Sequence, residues 1–543
     1  MSGTTQAWLV ATWAWPLALL LACAWPGVRQ LMPRLLALAP LPALAAALFA
    51  ADAPRLSLGG PAVELLFELD APGALLLGVA ALLWTAAGAY AGTYLQDAAH
   101  RQRFAACWLL AAAGCLGLFV AADLASLYAA LAMMTIGAGG LVIQDGTPRA
   151  WRAGATYVGL ALLAESVLLL AFVMLAMEIP GPGLAIDAAL ATLAVSPQRG
   201  VILALLVFGF GLKAGLVPLH VWMPLAHAAA PVPASSVLSG AVVKAGIIGL
   251  IRFLPSTEAL PAAGYVLAAA GFVTAFYGVF VGLTQRHPKA VLAYSSVSQM
   301  GVVVAVLGLG LAAGDGAAGI AAAFYAAHHV LVKGALFLAV GVAAAGTQGR
   351  RAWVLAPALL LCLGLGGLPL TGGAIAKFAV KDVFDQGIAA ALSAASAAGT
   401  TLLMLHFLRR LALAGVDGNE RAAAGLMLPW LAMAAAALLL PWLMYASTGL
   451  GSATAALAPE ATWQALWPVA IGAALAYALR ARADTLPAVP EGDIAAALGP
   501  AMRVTLRLGA RLDALDHALR GWTVASVGLV LVAMAIGWAL MPG

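Results

Sequence analysis

The chain has 543 residues, of which 64% are hydrophobic and 9% charged, and its formal net charge is +5. Its mean hydropathy of +1.01 lies outside the range of soluble domains and inside that of membrane proteins. The composition therefore predicts a polytopic membrane protein and excludes a soluble fold.

Apolar runs long enough to cross a bilayer follow one another along the whole chain. A hydrocarbon core of about 30 Å needs about 20 apolar residues per helix. Sixteen such spans are predicted, at approximately 7–26, 35–51, 73–95, 104–122, 124–144, 153–178, 200–219, 236–254, 262–283, 290–312, 317–345, 353–380, 388–408, 424–446, 463–479 and 521–541. The first lacks a basic n-region and an A-x-A exit, so we expect a retained helix and not a cleaved signal peptide. The predicted fold class is an all-α polytopic membrane protein.

Basic residues in the loops predict the orientation, because Lys and Arg stay on the cytoplasmic side. One set of alternate loops holds 19 of them, whereas the other holds four: Arg55, Arg199, Arg252 and Lys381. This bias predicts a multi-pass protein of the cell inner (plasma) membrane with both termini on the non-cytoplasmic side. The net charge is then a consequence of topology, and no nucleic-acid partner is expected.

The four remaining basic residues are all lysines inside predicted spans: Lys213, Lys244, Lys333 and Lys377. A desolvated lysine gives up its proton, whereas a guanidinium effectively does not, so lysine suits proton transfer. Each costs about 2.5–3.5 kcal/mol at the centre of an isolated helix, so they are expected in a hydrated interior or in pairs. The alternative is snorkelling from a helix end, which fits Lys244 better than Lys213.

Histidines accompany these lysines. His329 and Lys333 are four residues apart and share one helix face, so a proton could pass between them directly or through one water. His220 and His227 follow Lys213 at intervals of seven, and are secondary candidates whose alternative is a structural hydrogen bond. For His328, which faces another way, the structural role is favoured.

Prolines predict two broken spans. Pro218 and Pro224 interrupt span 7, and Pro369 interrupts span 12 among four glycines just before Lys377. Broken backbone at membrane depth is tolerated where it lines a cavity or is buried in protein. Two broken spans five helices apart suggest a five-helix repeat, which must be inverted because five is odd. The predicted divisions are 1–103 for spans 1–3, 104–254 and 255–412 for the repeats, and 413–543 for the rest.

Four segments resemble signature segments of the antiporter-like family: GLKAGLVPLHVWMPLAHAAAPVPASSVLSGAVVKAGIIGLIRF, TQRHPKAVLAYSSVSQMG, AAHHVLVKGALFLAVG and GLPLTGGAIAKF. That family comprises the proton-translocating membrane subunits of respiratory complex I, of membrane-bound hydrogenases and of Mrp-type sodium/proton antiporters. The resemblance runs from about residue 60 to 410. It implies fourteen core helices, two inverted five-helix repeats, and a hydrated axis of lysines and histidines across the membrane midplane.

Carried over by position, the resemblance assigns Lys213 to the central lysine of the broken seventh helix and Lys244 to the relay residue of the eighth. His329 and Lys333 match the pair on the eleventh helix, and Lys377 matches the terminal lysine of the broken twelfth. The resemblance implies that a carboxylate keeps Lys213 protonated, and that separating the two sends the proton along this path.

The chain departs from the family on the fifth helix, where the usual glutamate falls on Ala132. Glu165, on span 6, is the only acidic residue deep within any apolar run, and we predict that it pairs with Lys213 instead. Otherwise it would be protonated or bonded to a hydroxyl such as that of Ser166.

Motifs for other chemistry are missing from the sequence. Its four cysteines lie in apolar spans without a C-x-x-C, and no Walker or Rossmann fingerprint occurs. We therefore expect no cofactor, no metal and no redox centre in this chain, so any enzymatic activity would belong to a larger complex. A segment near 488–519 is amphipathic, with Arg503, Arg507 and Arg511 among spaced leucines, and would either lie in the cytoplasmic interface or brace a partner.

Three functions remain open. The first is a proton-translocating subunit of a complex I-like or hydrogenase-like assembly, with other membrane subunits, the lipid bilayer and protons as partners. The second is an Mrp-type cation/proton antiporter subunit, with Na⁺ as a further ion, or the membrane subunit of an inorganic-carbon-uptake complex. The third is a non-conducting structural subunit, for which Ala132 is the main argument.

Overall fold

The structure is a computed structural model in which α-helices account for most of the chain. It describes residues 2–51, 53–60, 63–180, 183–346, 351–384, 387–414, 423–480, 487–494, 496 and 534. Its contacts divide the chain into a large unit, Met1–Glu491, and a second unit, Gly492–Gly543. Span 16 and most of the predicted amphipathic segment lie outside the described residues.

The spans are numbered as in the sequence analysis. Each corresponds to one helix, or to two or three shorter helices where the span is interrupted. They are Ser2–Ala22 (span 1), Pro26–Leu35, Leu36–Leu38 and Leu41–Phe49 (2), Ala71–Tyr94 (3), Arg101–Val120 (4), Leu124–Val142 (5), Pro148–Glu178 (6), Arg199–Ala214, Leu219–Val221 and Trp222–Ala229 (7), Val232–Val237, Leu238–Val242 and Lys244–Phe253 (8), Pro261–Leu283 (9), Pro288–Ala313 (10), Ala317–Ala344 (11), Arg351–Gly366 and Gly372–Ala379 (12), Gly387–Ala414 (13), Ala424–Met444 (14) and Pro459–Leu479 (15). Outside them are Ile186–Val195 and the short turns Asp382–Phe384, Tyr445–Thr448 and Ala453–Leu457.

The predicted class of polytopic helical membrane protein is confirmed. Fourteen helices of the described chain are long and apolar enough to cross a membrane. The predicted span 12 is present as two shorter helices. Local sequence explains many boundaries: Asp70, Asp123 and Thr147 each accept a hydrogen bond from a backbone N–H in the first turn of the helix that follows.

Spans 7 and 12 are both broken, and each break has its own local cause. In span 7 the first helix ends at Ala214, with Gly215 in the left-handed region at φ 81°. In span 12 the interruption contains Gly367 at φ 105° and Leu370 at φ 64°. Pro224 does not break its helix as predicted. It lies in the first turn of Trp222–Ala229, where a missing N–H costs nothing.

Glycine lets the helices approach closely at the centre of the bundle. Spans 9 and 10 pack against each other. A Cβ placed on Gly271 would lie 2.5 Å from the backbone nitrogen of Ala305, and one on Gly301 would lie 2.5 Å from that of Ala275. Small residues at such interfaces bring backbones into contact, which is how membrane helices associate without a hydrophobic driving force.

A short hairpin that the sequence did not predict covers one end of the bundle. Strands β1 (Leu56–Gly60) and β2 (Val63–Phe67) pair antiparallel between spans 2 and 3. The buried Asp123 carboxylate holds this end together, accepting from the N–H of Leu66 at 2.7 Å and from the N–H and hydroxyl of Ser126 at 2.8 and 2.6 Å. Arg252 adds a bond to Asp70 at 3.0 Å.

The two predicted repeats stay a prediction. Span 4 packs on span 5 and span 6 on span 7 in the first proposed repeat. In the second, span 9 packs on span 10 and span 11 on span 12. Neighbouring helices thus pair in the same order in both.

Candidate functional site

The interior of the bundle contains charged side chains in an otherwise apolar core. Lys213 is 6% exposed, and Lys244 and Lys333 are 0% exposed. Lys213 lies in the last turn of Arg199–Ala214, and Lys377 lies in the last turn of Gly372–Ala379. The C-terminal end of a helix carries partial negative charge, so both broken spans present a favourable end to a cation.

Lys213 is held by two neighbouring helices. Its Nζ donates to Glu165 Oε1 on span 6 at 2.6 Å and to Thr135 Oγ1 on span 5 at 2.8 Å. The Thr135 hydroxyl in turn donates to Glu165 Oε1. The lysine and glutamate side chains are 6% and 4% exposed, so this is a buried ion pair. The contact predicted between Glu165 and Lys213 is present.

Span 5 supplies a hydroxyl close to the position where the resemblance implies a carboxylate. Thr135 lies three residues after Ala132, which is one helical turn and nearly the same face. From the sequence, Ala132 was predicted to stand in place of the glutamate, but the contact between Thr135 and Lys213 was not predicted. Its position in the turn after Ala132 is the only signal that could have indicated it.

A second contact joins span 8 to span 11. Lys244 Nζ lies 2.7 Å from His329 Nδ1, and both side chains are fully buried. Lys244 lies two residues after the end of the π-helical turn Leu238–Val242, and its Nζ also reaches the carbonyl oxygen of Ser239 at 3.4 Å. Such turns leave backbone carbonyls outside the regular pattern and often occur at functional sites.

Lys333 is bound to span 10. Its Nζ donates to the carbonyl oxygen of Leu292 at 3.0 Å and to the hydroxyl of Ser295. The same carbonyl accepts from Ser296 at 3.1 Å, and Ser296 Oγ lies 2.7 Å from Ser239 Oγ. Lys333 and the Lys244–His329 pair are therefore tied to one serine-lined region between spans 8 and 10.

No direct hydrogen bond joins His329 and Lys333 among the described residues, and the predicted alternative, transfer through one water, stays a prediction. Although they share a helix face, Lys244 occupies His329 Nδ1, and the bonds of Lys333 go to span 10. His329 Nε2 is buried without a hydrogen-bond partner among the described residues.

The secondary histidines lie in different surroundings. His227 is fully buried, edge-on to Trp222 and Phe337, and neither of its ring nitrogens has a partner in the described part of the chain. The charges of Lys244, Lys289 and Lys333 act on its ring. His220 is buried with its ring 5.0 Å from that of Tyr277 on span 9. His328 lies against Gly372 and Gly373 of span 12.

Lys289 is buried, although the sequence predicted that it lies in a loop. It is the second residue of the helix Pro288–Ala313, and it is 9% exposed. Its Nζ donates to the carbonyl oxygen of Ala230, at the junction of spans 7 and 8, at 2.5 Å, and lies 3.5 Å from Ser235 Oγ. Its neighbours Arg286 and His287 gave the sequence a loop-like composition here, whereas tertiary packing buries the side chain.

Lys377 lines a cavity of about 270 Å³ between spans 12, 13 and 15. Lys381, Ser393, Thr462 and Gln464 line it as well. The rest of the lining is apolar, so the half-buried Lys377 faces a partly open cavity with a few polar side chains. Lys377 is the last in sequence of the lysines Lys213, Lys244, Lys333 and Lys377, which are called the lysine row below.

Charged residues near the hairpin form ion pairs that are separate from the buried lysines. Arg55 donates to Glu68 at 2.6 Å and to Asp187 at 2.9 Å. Partial burial acts to raise the pKa of Asp187, but hydrogen bonds from Arg55 and from the N–H of Ala188 outweigh it, so that pKa lies below its ordinary value. Among the described residues, no group of three His, Cys, Asp or Glu side chains is arranged to hold a metal ion.

The fold and this row of buried charges define a polytopic membrane protein of the antiporter-like class. Comparison with known families makes the assignment specific, since the family described as NADH:quinone oxidoreductase/Mrp antiporter, TM, matches residues 121–404. This is more than half of the chain, and the protein belongs to that family. The resemblance predicted from the four sequence segments is confirmed.

Two curated relatives illustrate the range of the family. Hydrogenase-4 component B of Escherichia coli (strain K12) is 29% identical over 58% of this chain and 50% of its own length. NADH-quinone oxidoreductase subunit N of Desulforudis audaxviator is 33% identical over 53% of this chain and 58% of its own. The chain thus spans only about half the length of the curated relatives it matches.

Solved structures share the fold across nearly the whole chain. A chain of the Mrp complex from Dietzia sp. DQ12-45-1b has a TM-score of 0.80 at 23% identity, over 99% of this chain and 63% of that one. A chain of the membrane-bound sulfane sulfur reductase, an archaeal respiratory membrane complex, has a TM-score of 0.67 at 19% identity, over 94% and 99%. At these identities, both likenesses show the fold of this chain.

Proposed function

We propose that this chain translocates protons along its row of buried lysines and histidines as a membrane subunit of a complex I-like or hydrogenase-like assembly. The observation that carries the proposal is the buried contact between Lys213 and Glu165 at 2.6 Å. Ionisable groups are expensive inside a membrane protein, and a chain that keeps them in its core uses them by default. This pair consists of a proton donor and a proton acceptor on different helices.

The first step is the opening and closing of that pair. While the pair is closed, the carboxylate stabilises the protonated lysine. When span 6 moves away from span 7, the lysine loses its counter-charge and its proton passes to the next acceptor. Such a movement needs a partner whose states favour the open and the closed pair differently.

The row then continues towards Lys377. The Lys244–His329 contact follows, and Lys333 with its serine partners lies beside it. Buried polar nitrogens in native proteins are almost always satisfied by protein or by water. Three ring nitrogens of His227 and His329 have no hydrogen-bond partner among the described residues, which favours hydration between the lysines. The cavity at Lys377 is the proposed outlet.

The environment of the chain is part of the proposal. We place it in the cell inner membrane with both termini on the non-cytoplasmic side, because basic residues are concentrated in alternate loops. Because Lys289 is buried, it no longer counts among the basic residues of the loops. The other basic residues are still concentrated in alternate loops.

An Mrp-type cation/proton antiporter subunit is the second candidate. It is favoured by the likeness to a chain of the Mrp complex over 99% of this chain. An inorganic-carbon-uptake complex has no observation of its own in its favour. The non-conducting alternative rested on Ala132, and the Glu165–Lys213 contact removes that argument.

The test is proton flux in inverted membrane vesicles that contain the intact assembly. Glu165→Gln should abolish the flux, because an amide carries no negative charge to stabilise the protonated form of Lys213 in the closed pair. Glu178→Gln, at the end of the same helix, is the matched control and should leave the flux unchanged. Flux that persists in Glu165→Gln at equal protein level would refute the path. Flux that requires Na⁺ would select the antiporter.

A further inference from the structure

His328 is a buried histidine that lies on span 11 beside His329, and it is 4% exposed. Its ring lies against the first turn of Gly372–Ala379, the second helix of the broken span 12. A Cβ on Gly372 would lie 3.1 Å from His328 Cδ2, and one on Gly373 would lie 3.2 Å from His328 Cε1. Glycine at both positions thus leaves space for the ring at the break.

Lys377 lies on the face of this short helix that the ring contacts. Gly373 and Lys377 are four residues apart, so their Cβ positions lie one above the other, about 5–6 Å apart. Helical side chains lean towards the N-terminus of their helix. The Lys377 side chain does so, since a Cβ on Gly367, before the helix begins, would lie 2.6 Å from Lys377 Cδ. The amine therefore points back towards the break, where its charge acts on the His328 ring.

The contacts of Lys333 do not lead on to Lys377. Lys333 donates to two acceptors on span 10, and Lys377 makes no hydrogen bond among the described residues. The rings of His328 and His329 do interact electrostatically. Consecutive residues of a helix do not face each other, so a proton would pass between these rings through a water. His329 Nε2, which has no partner in the described part of the chain, offers a place for that water.

We propose that His328 carries the proton from His329 to Lys377, an inference that rests on the proton path proposed above. His328 takes up a proton at one ring nitrogen, and the Lys377 amine takes one from the other nitrogen. His328 is then neutral again, and Lys377 is an ammonium beside the cavity. Rotation of the ring restores the starting tautomer. Imidazole suits this step because it both accepts and donates a proton near neutral pH.

A second polar connection leaves span 11 nearby and provides a matched control. Tyr325 Oη donates to Gln299 Oε1 at 2.8 Å, and Gln299 Nε2 donates to Thr400 Oγ1 on span 13 at 3.0 Å. Thr400 lies three residues after Ala397, which lines the cavity at Lys377. An amide at the centre of this connection does not titrate. We therefore expect the connection to hold the helices together without carrying protons.

The experiment measures proton flux in inverted membrane vesicles that contain the intact assembly, at equal protein level. His328→Gln fills most of the space of the ring but takes up no proton. It should lower the flux about a hundredfold, the lower end of what a positioned proton-transferring side chain contributes to a rate. Tyr325→Phe, on the same helix, should keep the parent flux. Flux lost in Tyr325→Phe and kept in His328→Gln would overturn the proposal in favour of the connection to span 13.

Glu165→Gln, measured in parallel, separates this inference from the path on which it rests. If Glu165→Gln loses flux and His328→Gln keeps it, the path stands and His328 is not its carrier. If Glu165→Gln keeps the parent flux, the path fails and the inference fails with it.

A further variant separates proton transfer from packing. His328→Ala leaves a space of the size of the ring, and free imidazole should restore the flux of this variant. Pyrazole has the same size but is not protonated near neutral pH, so it should not restore the flux. Equal restoration by both solutes, or by neither, would make His328 a packing residue and overturn the proposal.

Discussion

Thr135 provides a sharp test of the buried ion pair, because its hydroxyl bridges the two charges. It accepts from Lys213 at 2.8 Å and donates to Glu165. Thr135→Val keeps the shape of the side chain and removes both hydrogen bonds. Thr135→Ser keeps the hydroxyl and removes one methyl group.

The expected size of the effect follows from these contacts. A hydrogen bond to a charged group contributes about 1.5–3 kcal/mol. Thr135→Val removes two such bonds, so the closed pair would lose at least the contribution of one of them relative to any state in which Lys213 and Glu165 are apart, since only the closed pair uses the hydroxyl. This shifts the equilibrium between closed and open pair roughly 10- to 150-fold. We expect proton flux in Thr135→Val to fall about tenfold, the lower end of that range, and Thr135→Ser to retain most of it.

The assay is proton flux in vesicles together with thermal unfolding of the purified assembly. Thr12→Val is a matched control, because Thr12 is a buried threonine whose hydroxyl donates only to the carbonyl oxygen of Trp8 in its own helix at 2.9 Å. A double-mutant cycle with Glu165→Gln separates the pair from general packing. If Thr135→Val lowers stability by the same amount with and without Glu165, or if it leaves the flux at the parent level, the reasoning is refuted.

Two further predictions concern the scaffold. Gly271→Ala should lower the free energy of unfolding by about 1–3 kcal/mol through overpacking against span 10. Gly159→Ala is the control, because nothing lies within 4 Å of its Cβ, and it should leave the stability unchanged. Equal unfolding temperatures of the two variants would contradict this prediction. At the helix ends, two hydrogen bonds from Arg199 at 2.9 and 2.6 Å hold the pKa of Glu258 below its ordinary value. That contribution to stability is present at neutral pH and is lost as the pH falls through the folded-state pKa. Glu258→Gln should therefore unfold earlier than the parent at pH 7 and together with it in acid, as followed by thermal unfolding across pH; a difference that persists in acid would exclude this ion pair as the cause.

The spans and the lysines could be predicted because each is a local property. Apolar length alone located the helices, and a lysine in such a run is visible without any tertiary information. Glu165 was predictable for the same reason, as the one carboxylate deep in an apolar run, and the structure places it on Lys213.

What escaped prediction depends on contacts between distant segments. A lone threonine in a membrane helix normally bonds to its own backbone, so the position of Thr135 one turn after Ala132 was too weak a signal to mark it as a partner of Lys213. Lys289 follows Arg286 and His287 in a loop-like stretch, and its burial is set by the carbonyl oxygen of Ala230. The hairpin Leu56–Phe67 consists of two five-residue strands, too short and too rich in glycine to give a pattern against the spans.

The position of the carboxylate decides which helices must move. With the acid on span 6 and the base on span 7, the pair opens only if these two helices shift relative to each other. Gly209 and Leu168 lie beside the pair at this interface, and a Cβ on Gly209 would be 2.6 Å from Leu168 Cγ. Replacing both residues by cysteine removes the leucine side chain from this space and places two thiols at the same contact, and a disulfide between them needs Cβ atoms about 3.5–4.5 Å apart.

A cross-link at this interface therefore tests the proposed movement directly. Gly209→Cys combined with Leu168→Cys, in a chain whose native cysteines are replaced, should lose proton flux on oxidation and regain it on reduction. The control pair is Gly139→Cys with Val158→Cys, which joins span 5 to span 6 where a Cβ on Gly139 would be 2.8 Å from Val158 Cγ2. Oxidation there should leave the flux intact, because span 5 carries no charge that must separate from span 6. If the link between spans 6 and 7 forms completely, as shown by thiol labelling, and the flux continues, then Lys213 exchanges its proton without parting from Glu165.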